Sequence, residues 1–128
     1  MAVSVETSKT ALLIFDDPGK KFVFRRILED GLVISILEAS DVKTAQVMIS
    51  DKWPHLIMLD DWIGAESGID FVRSLRSQPA FKKIRIMLYI RDDHEKVDEA
   101  KSAGADVVIT MPFDPQELIR IVQSLIRV

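Results

Sequence analysis

Apolar residues fall into five short runs along the chain, and polar stretches separate these runs. The runs cover residues 10–15, 32–37, 55–59, 84–90 and 105–109. Runs of this length that are continuously apolar, rather than alternating with polar residues, are typical of strands buried on both faces of a parallel sheet. The pattern therefore predicts five parallel β-strands.

Each run is followed by a stretch with the three- and four-residue apolar spacing of a helix. The first stretch covers about residues 20–29, with Val23, Ile27 and Leu28 expected on its buried side. Asp41 precedes the second stretch and is a suitable N-cap residue. Five helices are therefore expected, one after each strand.

The last helix has the clearest sequence signal at its start. Asp114 is expected to cap it, because Pro115 follows in the first turn and Glu117 stands three residues after the cap. Gly104 is placed where a left-handed residue would end the preceding helix. The residues expected on the buried stripe of the last helix are Leu118, Val122 and Leu125.

Strands that alternate with helices predict a doubly wound α/β domain, in which right-handed crossovers place helices on both faces of the sheet. We expect a five-stranded parallel sheet in the flavodoxin-like strand order 2-1-3-4-5. A chain of 128 residues has room for one domain. Within residues 1–128, the core is expected from about residue 10 onward, with residues 1–9 as a leader.

Pairs of aspartates follow the first and third runs: Asp16 with Asp17, and Asp60 with Asp61. In open parallel sheets, ligands bind beyond the carboxyl ends of the strands, and these two strand ends should be neighbours. Clustered carboxylates repel each other unless a cation joins them, and Mg²⁺ is the cation that suits such oxygen ligands. A carboxylate beside Mg²⁺ can attack a phosphoryl group. Asp17 precedes Pro18 and is also a plausible helix cap, and Asp61 is also a plausible loop residue.

Composition narrows the functional classes. The chain contains no Cys, which fits a reducing compartment. It has no apolar segment long enough to span a bilayer, and its first residues lack the features of a secretory signal. The formal net charge of −3 provides no basic field for nucleic acid. We therefore expect a cytoplasmic protein that neither binds nucleic acid directly nor enters a membrane.

Several short motifs follow one another along the chain, and their order and spacing are specific when they are taken together. They are Leu12-Leu-Ile-Phe-Asp-Asp17, Leu56-Ile-Met-Leu-Asp60, Gly68, Ala103-Gly-Ala-Asp106, and Pro112-Phe113 ahead of the last helix. Together they make the chain similar to the receiver domains of two-component response regulators, which have the CheY-like fold. The resemblance runs from about residue 10 to residue 128. It also implies a cis peptide bond between Met111 and Pro112.

The resemblance implies a function and a site. Asp60 would accept a phosphoryl group from a phosphohistidine on a histidine kinase or phosphotransfer protein. Asp17 and Asp60 would bind Mg²⁺ together with the backbone carbonyl of Trp62, and Asp16 would help through water. The domain would then act on an output partner or output domain through altered protein–protein contacts, and its last helix offers a surface for a homodimer. Such a domain is not a turnover enzyme on external substrates.

Four positions depart from the family pattern. The family has a Ser or Thr at the position of Tyr89, a Lys at that of Met111, an aromatic switch residue at that of Val108, and a proline at that of Gly64. A Lys would pair with a phosphoryl oxygen, and an uncharged Met cannot. A Tyr is bulky enough to fill the pocket that a small hydroxyl would share with the phosphoryl group.

Two hypotheses follow from these departures. In the first, the domain still takes phosphate, with Arg91 as a replacement cation and the Trp62 ring shielding the site from water. In the second, the chain is a pseudo-receiver that binds proteins without phosphate control.

Two other functional classes are less compatible with the sequence. A Mg²⁺-dependent phosphatase with an Asp nucleophile is a third class, but Trp62 stands where its general acid is expected. A flavin-binding protein is a fourth class, and the acidic first loop would repel the flavin phosphate.

Overall fold

The structure is a computed structural model that describes residues 9–91 and 93–128, except for the side chain of His94. Its strands are β1 (Thr10–Ile14), β2 (Ser35–Ala39), β3 (Leu56–Asp60), β4 (Trp62–Ile63), β5 (Glu66–Ser67), β6 (Arg85–Ile90) and β7 (Val107–Thr110). Its α-helices are α1 (Pro18–Gly31), α2 (Val42–Lys52), α3 (Gly68–Arg76), α4 (His94–Ala103) and α5 (Pro115–Ile126). One 3-10 turn covers Pro79–Phe81. Apart from Lys9, the predicted leader lies outside the described residues.

Five strands form one parallel sheet in the order β2-β1-β3-β6-β7. This is the predicted order, since β4 and β5 form a separate antiparallel hairpin between β3 and α3. The hairpin was not predicted, because two-residue strands leave no periodic pattern in the sequence. β3 lies at the centre of the sheet, so its carboxyl end is flanked by β1 and β6.

The sheet separates two hydrophobic cores. Alternate residues of β1 point to opposite faces, as in any strand: Leu12 and Ile14 belong to one core, and Ala11 and Leu13 belong to the other. The first core is completed by α2, α3 and α4, and the second by α1 and α5. The predicted three-layer, doubly wound architecture is therefore confirmed.

Two strands begin later than the apolar pattern predicts. The second run starts at Leu32, whose N–H still closes α1 by donating to the carbonyl of Leu28 at 2.9 Å, and Val33 is 88% exposed. β2 begins only at Ser35, where its pairing with Thr10 of β1 starts. Similarly, the N–H of Ala105 donates to the carbonyl of Ala100 and so closes the end of α4. Ala105 is therefore not part of the strand, and β7 begins at Val107. Apolar composition alone cannot separate these residues from a strand.

The buried faces of two helices also differ from the expectation. In α1 the residues fully buried are Phe24 and Leu28, whereas Val23 is exposed. In α5 Leu118 and Val122 are buried as predicted, but Ile126 rather than Leu125 completes the stripe. The change in α1 has a clear cause, because the Phe24 ring packs in an aromatic cluster described below.

Helix caps follow the sequence signals. The side chains of Asp41 and Asp114 accept hydrogen bonds from the N–H groups of Thr44 and Gln116. Gly104 ends α4 with a left-handed backbone, φ 116°, and the Met111–Pro112 peptide bond is cis. No helix in the described part of the chain has both the length and the apolar character needed to cross a bilayer.

Gly68 is required by close backbone packing beneath the hairpin. A Cβ atom at this position would lie 2.0 Å from the backbone carbonyl oxygen of Asp60. Gly68→Ala should therefore lower the free energy of unfolding by about 1–3 kcal/mol, the range for an overpacked site. Urea unfolding followed by circular dichroism measures this change.

Gly19→Ala is the matched control, because its Cβ would lie 3.4 Å from Asp17 Oδ1, an ordinary contact. It should leave the unfolding midpoint nearly unchanged. Equal effects of the two substitutions would contradict the steric account of Gly68.

Candidate functional site

Asp60 is the last residue of β3 and is 2% exposed. Among the described residues, it is the one charged or polar residue that the fold buries. Burying a carboxylate is unfavourable unless it is paired and hydrogen-bonded. The partners of Asp60 therefore determine what this strand end can do.

Both carboxylate oxygens of Asp60 have a donor. The Nζ atom of Lys20 lies 2.8 Å from Oδ2, and the backbone N–H of Asp61 donates to Oδ1 at 3.0 Å. Lys20 belongs to the first turn of α1, which starts at the same edge of the sheet as Asp60. Its side chain is 27% exposed, so the ion pair is open to the solvent on one side.

The ion pair changes the titration of both groups. Burial raises the pKa of Asp60 above its ordinary value, and the hydrogen bond from Lys20 opposes this rise. Burial acts to lower the pKa of Lys20, but the hydrogen bond and the charge of Asp60 outweigh it and raise the pKa. Lys20 is therefore held as an ammonium ion next to a carboxylate that burial destabilises.

An aromatic cluster lies beneath the ion pair. The Lys20 Nζ atom is 5.5 Å from the centre of the Tyr89 ring, close enough for a cation–π contact. The Tyr89 ring packs edge-on against Phe24 and Phe113, with centroid distances of 5.3 and 6.4 Å. Phe15 stacks on Phe24 at 5.1 Å. The Tyr89 ring, which Phe24 and Phe113 hold in place, therefore lies against the ammonium group that pairs with Asp60.

A cleft of about 380 Å³ opens above Asp60. Most of its lining residues are charged: Asp16, Lys20, Asp60, Asp61, Arg91, Asp93 and Lys96, with Trp62 and Gly64 completing it. Three of these residues are basic, so the cleft can receive an anionic group despite its carboxylates.

The two aspartates after β1 have different roles. Asp16 lines the cleft, and its Oδ2 atom accepts a hydrogen bond from the N–H of Gly64 at 3.0 Å. This bond ties the β4–β5 hairpin to the end of β1. Asp17 does not line the cleft; its Oδ1 atom accepts from the N–H of Gly19 at 2.9 Å and so caps α1. Of the two roles left open by the sequence, the structure gives Asp17 the helix cap.

Lys96 of α4 reaches the opposite wall of the cleft. Its Nζ atom lies 3.6 Å from Asp61 Oδ2 and 5.7 Å from the centre of the Trp62 ring. Trp62 is 49% exposed at the mouth of the cleft. Asp61, the residue after Asp60, is thus ion-paired, and its neighbour Trp62 covers one side of the opening.

The carboxylate and carbonyl oxygens of the cleft are of the type that binds a magnesium ion. In the part of the chain that the structure describes, no three acidic or histidine side chains are grouped to hold a metal. Mg²⁺, however, usually takes only one or two carboxylates and keeps several waters. Asp16 and Asp60 line the cleft together with Trp62 and supply that number.

Comparison with known proteins identifies the family. The family model described as the response regulator receiver domain matches residues 11–123. The chain belongs to the receiver domain family. The predicted resemblance is therefore confirmed over most of the chain.

Relatives of this receiver domain include the phosphate regulon transcriptional regulatory proteins PhoB. That of Escherichia coli K12 is 34% identical over 92 residues, which cover 71% of this chain and 40% of the relative. That of Pseudomonas aeruginosa is 31% identical over 120 residues, which cover 93% of this chain and 52% of the relative. The chain thus spans about half or less of the length of these relatives.

Solved structures support the same fold. The signal receiver domain of a DNA-binding response regulator from Colwellia psychrerythraea 34H superposes with a TM-score of 0.87 at 20% identity. The alignment covers 94% of this chain and 99% of that one. At this identity the similarity shows the CheY-like fold alone.

Of the four positions predicted to depart from the family pattern, three lie outside the cleft. Met111 is exposed and does not line the cleft, and Val108 packs against the first core. The Tyr89 ring is buried in the aromatic cluster and does not fill the cleft, contrary to the possibility raised by its size. Gly64 is the exception, since it lines the cleft with a left-handed backbone, φ 62°.

Lys20 was missed by the sequence analysis, which chose Arg91 as the replacement cation. Arg91 does line the cleft, but the direct partner of Asp60 is Lys20. A usable signal was present. Residues in the first turn of a helix that follows a parallel strand lie at the carboxyl edge of the sheet, and Lys20 is three residues beyond Asp17. Lys20 was overlooked because it lies far in the sequence from Met111, the position at which the family is expected to have its lysine.

Asp60→Asn should stabilise the receiver at neutral pH. A carboxyl group whose pKa is raised by folding favours the folded state below its ordinary pKa, and this contribution is lost as the pH rises through the folded-state pKa. Replacing the buried charge should therefore raise the free energy of unfolding at pH 7 by on the order of 1 kcal/mol. The Lys20 ammonium that loses its partner is 27% exposed and can be solvated. The gain should shrink as the pH falls through the raised folded-state pKa of Asp60 and should be absent below about 4.

Urea unfolding at several pH values measures this difference. Asp70→Asn is the control, since Asp70 is an exposed carboxylate in a surface ion pair with Arg73 and should change stability little. A gain for Asp60→Asn that did not depend on pH would contradict the electrostatic explanation.

Proposed function

We propose that this receiver accepts a phosphoryl group on Asp60 and that Lys20 is the cation that binds the phosphoryl oxygens. The donor is a phosphohistidine on a histidine kinase or a phosphotransfer protein. The observation that carries the proposal is the 2.8 Å contact between Lys20 Nζ and Asp60 Oδ2. It places a positive charge at the acceptor although the family lysine is replaced by Met111.

The chemistry requires an ionised Asp60. One carboxylate oxygen attacks phosphorus, a new P–O bond forms, and the P–N bond to the donor imidazole breaks with its electron pair leaving on nitrogen. The Lys20 ammonium favours the ionised carboxylate against the effect of burial. It also stands where charge gathers on the phosphoryl oxygens, so it stabilises the transfer electrostatically.

Mg²⁺ belongs to this proposal as the family cofactor. When bound, it neutralises charge on the transferring phosphoryl group. Asp16 and Asp60 would hold it, with the backbone carbonyl of Trp62, since these three residues line the cleft. Asp17, predicted as a direct ligand, caps α1 through Oδ1 alone, so its second carboxylate oxygen could take part without loss of the cap.

The other cations of the cleft have secondary roles in this proposal. Arg91 lines the cleft and adds positive potential for the incoming phosphoryl group. Lys96 is engaged by Asp61 and Trp62. The Trp62 ring, held in this way, limits access of water to the acyl phosphate.

The output of the domain is a change in protein–protein contacts in the cytoplasm, either with a partner protein or with an output domain. A homodimer through α5 is one form that such contacts take. Direct binding of nucleic acid by this domain is not expected, given the net charge of −3. Turnover of external phosphate esters is not expected either, because Trp62 offers no general acid two residues after Asp60.

A second candidate is a pseudo-receiver that binds proteins without phosphate control. One observation favours it: Lys20 already neutralises Asp60, so the site is balanced in charge without a phosphoryl group. Tyr89 and Val108 are also packed into the two cores, which leaves no small hydroxyl or free aromatic ring to respond to phosphate.

Beryllofluoride, a phosphoryl mimic, separates the two candidates. With Mg²⁺ present, saturable changes in amide NMR shifts around Asp16, Asp60 and Trp62 are expected, and Asp60→Asn should abolish them. Tryptophan fluorescence provides a second readout through Trp62. A native protein that binds Mg²⁺ but shows no response to beryllofluoride would be a pseudo-receiver.

Lys20→Met should weaken beryllofluoride binding roughly tenfold or more, because a charge-assisted hydrogen bond contributes about 1.5–3 kcal/mol. Lys21→Met is the matched control, since Lys21 contacts Ser40 outside the cleft. Adding Met111→Lys to the Lys20→Met variant should restore part of the affinity by returning a lysine to the family position. Unchanged binding by Lys20→Met would show that another cation serves Asp60.

A further inference from the structure

A second basic site lies at the opposite end of the sheet from Asp60. It is a groove of about 430 Å³ beside the amino ends of β1, β3 and β6. Its polar and aromatic lining comes from Lys9, Trp53, His55, Lys83, Arg85 and Arg127. Asp60 stands at the carboxyl end of β3, so the two sites do not overlap.

The groove concentrates positive charge on an acidic chain. Four basic residues line it and no acidic residue does, although the whole sequence carries a net charge of −3. Among the described residues, Arg85 has an ion-pair partner in Asp106, whereas Lys9, Lys83 and Arg127 have none. Within residues 9–91 and 93–128, the groove therefore holds three cations that no carboxylate pairs with.

Backbone strain is concentrated at the same place. In the described part of the chain, Trp53 and Arg127 are the only residues other than glycine with a positive φ, 47° and 55°. Each ends a helix, α2 and α5 respectively, at a position where glycine is the usual residue. Both line the groove. Trp53 and Arg127 thus occupy backbone positions where glycine would make the folded protein more stable. Residues kept in unfavourable backbone conformations are common at functional sites.

The remaining groups in the groove add hydrogen bonding and apolar contact. The Trp53 ring is 52% exposed and packs on one side against Phe81, at a centroid distance of 5.2 Å. The Nδ1 atom of His55 accepts a hydrogen bond from the N–H of Thr10 at 3.1 Å. Burial and the charge of Lys9 lower the pKa of His55, so the ring is neutral and its Nε2–H is a donor.

We propose that this groove binds an acidic segment of a partner protein. Its carboxylates pair with Lys9, Lys83 and Arg127, and an apolar side chain covers the exposed face of Trp53. A protein fits better than a nucleic acid, because the net charge of the whole chain is −3 and disfavours a long polyanion that extends beyond this compact group of cations. Tryptophan and arginine are also the residues that most often dominate binding energy at protein interfaces. The proposal does not depend on phosphorylation of Asp60.

The test starts from a display library of random peptides selected against the native chain at low salt. Peptides rich in Asp and Glu with an interspersed apolar residue are the expected class. Affinities of the selected peptides are then measured in a Trp62→Phe background, where Trp53 is the one remaining tryptophan. A change in Trp53 fluorescence reports occupancy of the groove, and binding should weaken as salt screens the charges.

Two variants test the cations. Lys83→Glu combined with Arg127→Glu should weaken binding of the selected peptides at least about tenfold. Lys43→Glu combined with Lys101→Glu is the matched control, since both lysines are exposed and lie outside the groove, and it should retain the affinity. Equal binding by the two charge-reversed proteins would overturn the proposal.

Arg127→Gly tests the strain. It should keep or raise the melting temperature, since glycine adopts the left-handed backbone without a steric penalty, while it weakens binding of the peptides. A lower melting temperature with unchanged binding would contradict a functional reason for Arg127. Selection of no acidic peptides, or a Trp53 response to a single-stranded oligonucleotide alone, would also overturn the proposal.

Discussion

The burial of one carboxylate at the centre of the sheet sets the conditions for the rest of the site. Asp60 ends the central strand, where β1 and β6 flank it and Gly68 passes beneath it. A buried charge is tolerated only with a close partner, and Lys20 fulfils that requirement from the first turn of α1. The start of α1 places Lys20 beside Asp60, and the Tyr89 ring of the aromatic cluster contacts its ammonium group. Both features support this single ion pair.

The aromatic cluster explains why the ammonium group stays in place. A lysine side chain loses considerable rotamer freedom when it is fixed. The Tyr89 ring, which packs against Phe24, limits the freedom that Lys20 has to lose. The bulky residue at the position of a small hydroxyl is thus part of the support for Lys20. Two departures from the family, Tyr89 and the missing lysine at Met111, are explained by one local arrangement.

The sequence predicted the fold well because its information is periodic. Five apolar runs with intervening helices predicted the parallel sheet and both helix layers, and the flavodoxin-like arrangement supplied the strand order. Asp41, Asp114 and Gly104 marked helix ends. The prediction failed where an apolar residue is compatible with more than one position in the structure. Leu32 and Val33 are apolar but unpaired, and Phe24 displaced Val23 from the core because of ring packing that no local pattern records.

The candidate site was predicted in part for the same reason. Strand ends located Asp60 and Asp16, but contacts between distant elements were invisible, so Lys20 was overlooked in favour of Arg91. The location of this cation has a consequence for how receivers are classified. A survey that counts a receiver as active only when lysine precedes the proline after the fifth sheet strand would place this chain among the inert ones. The cation beside Asp60 is found only by comparing positions in space, because Lys20 is far from that position in the sequence.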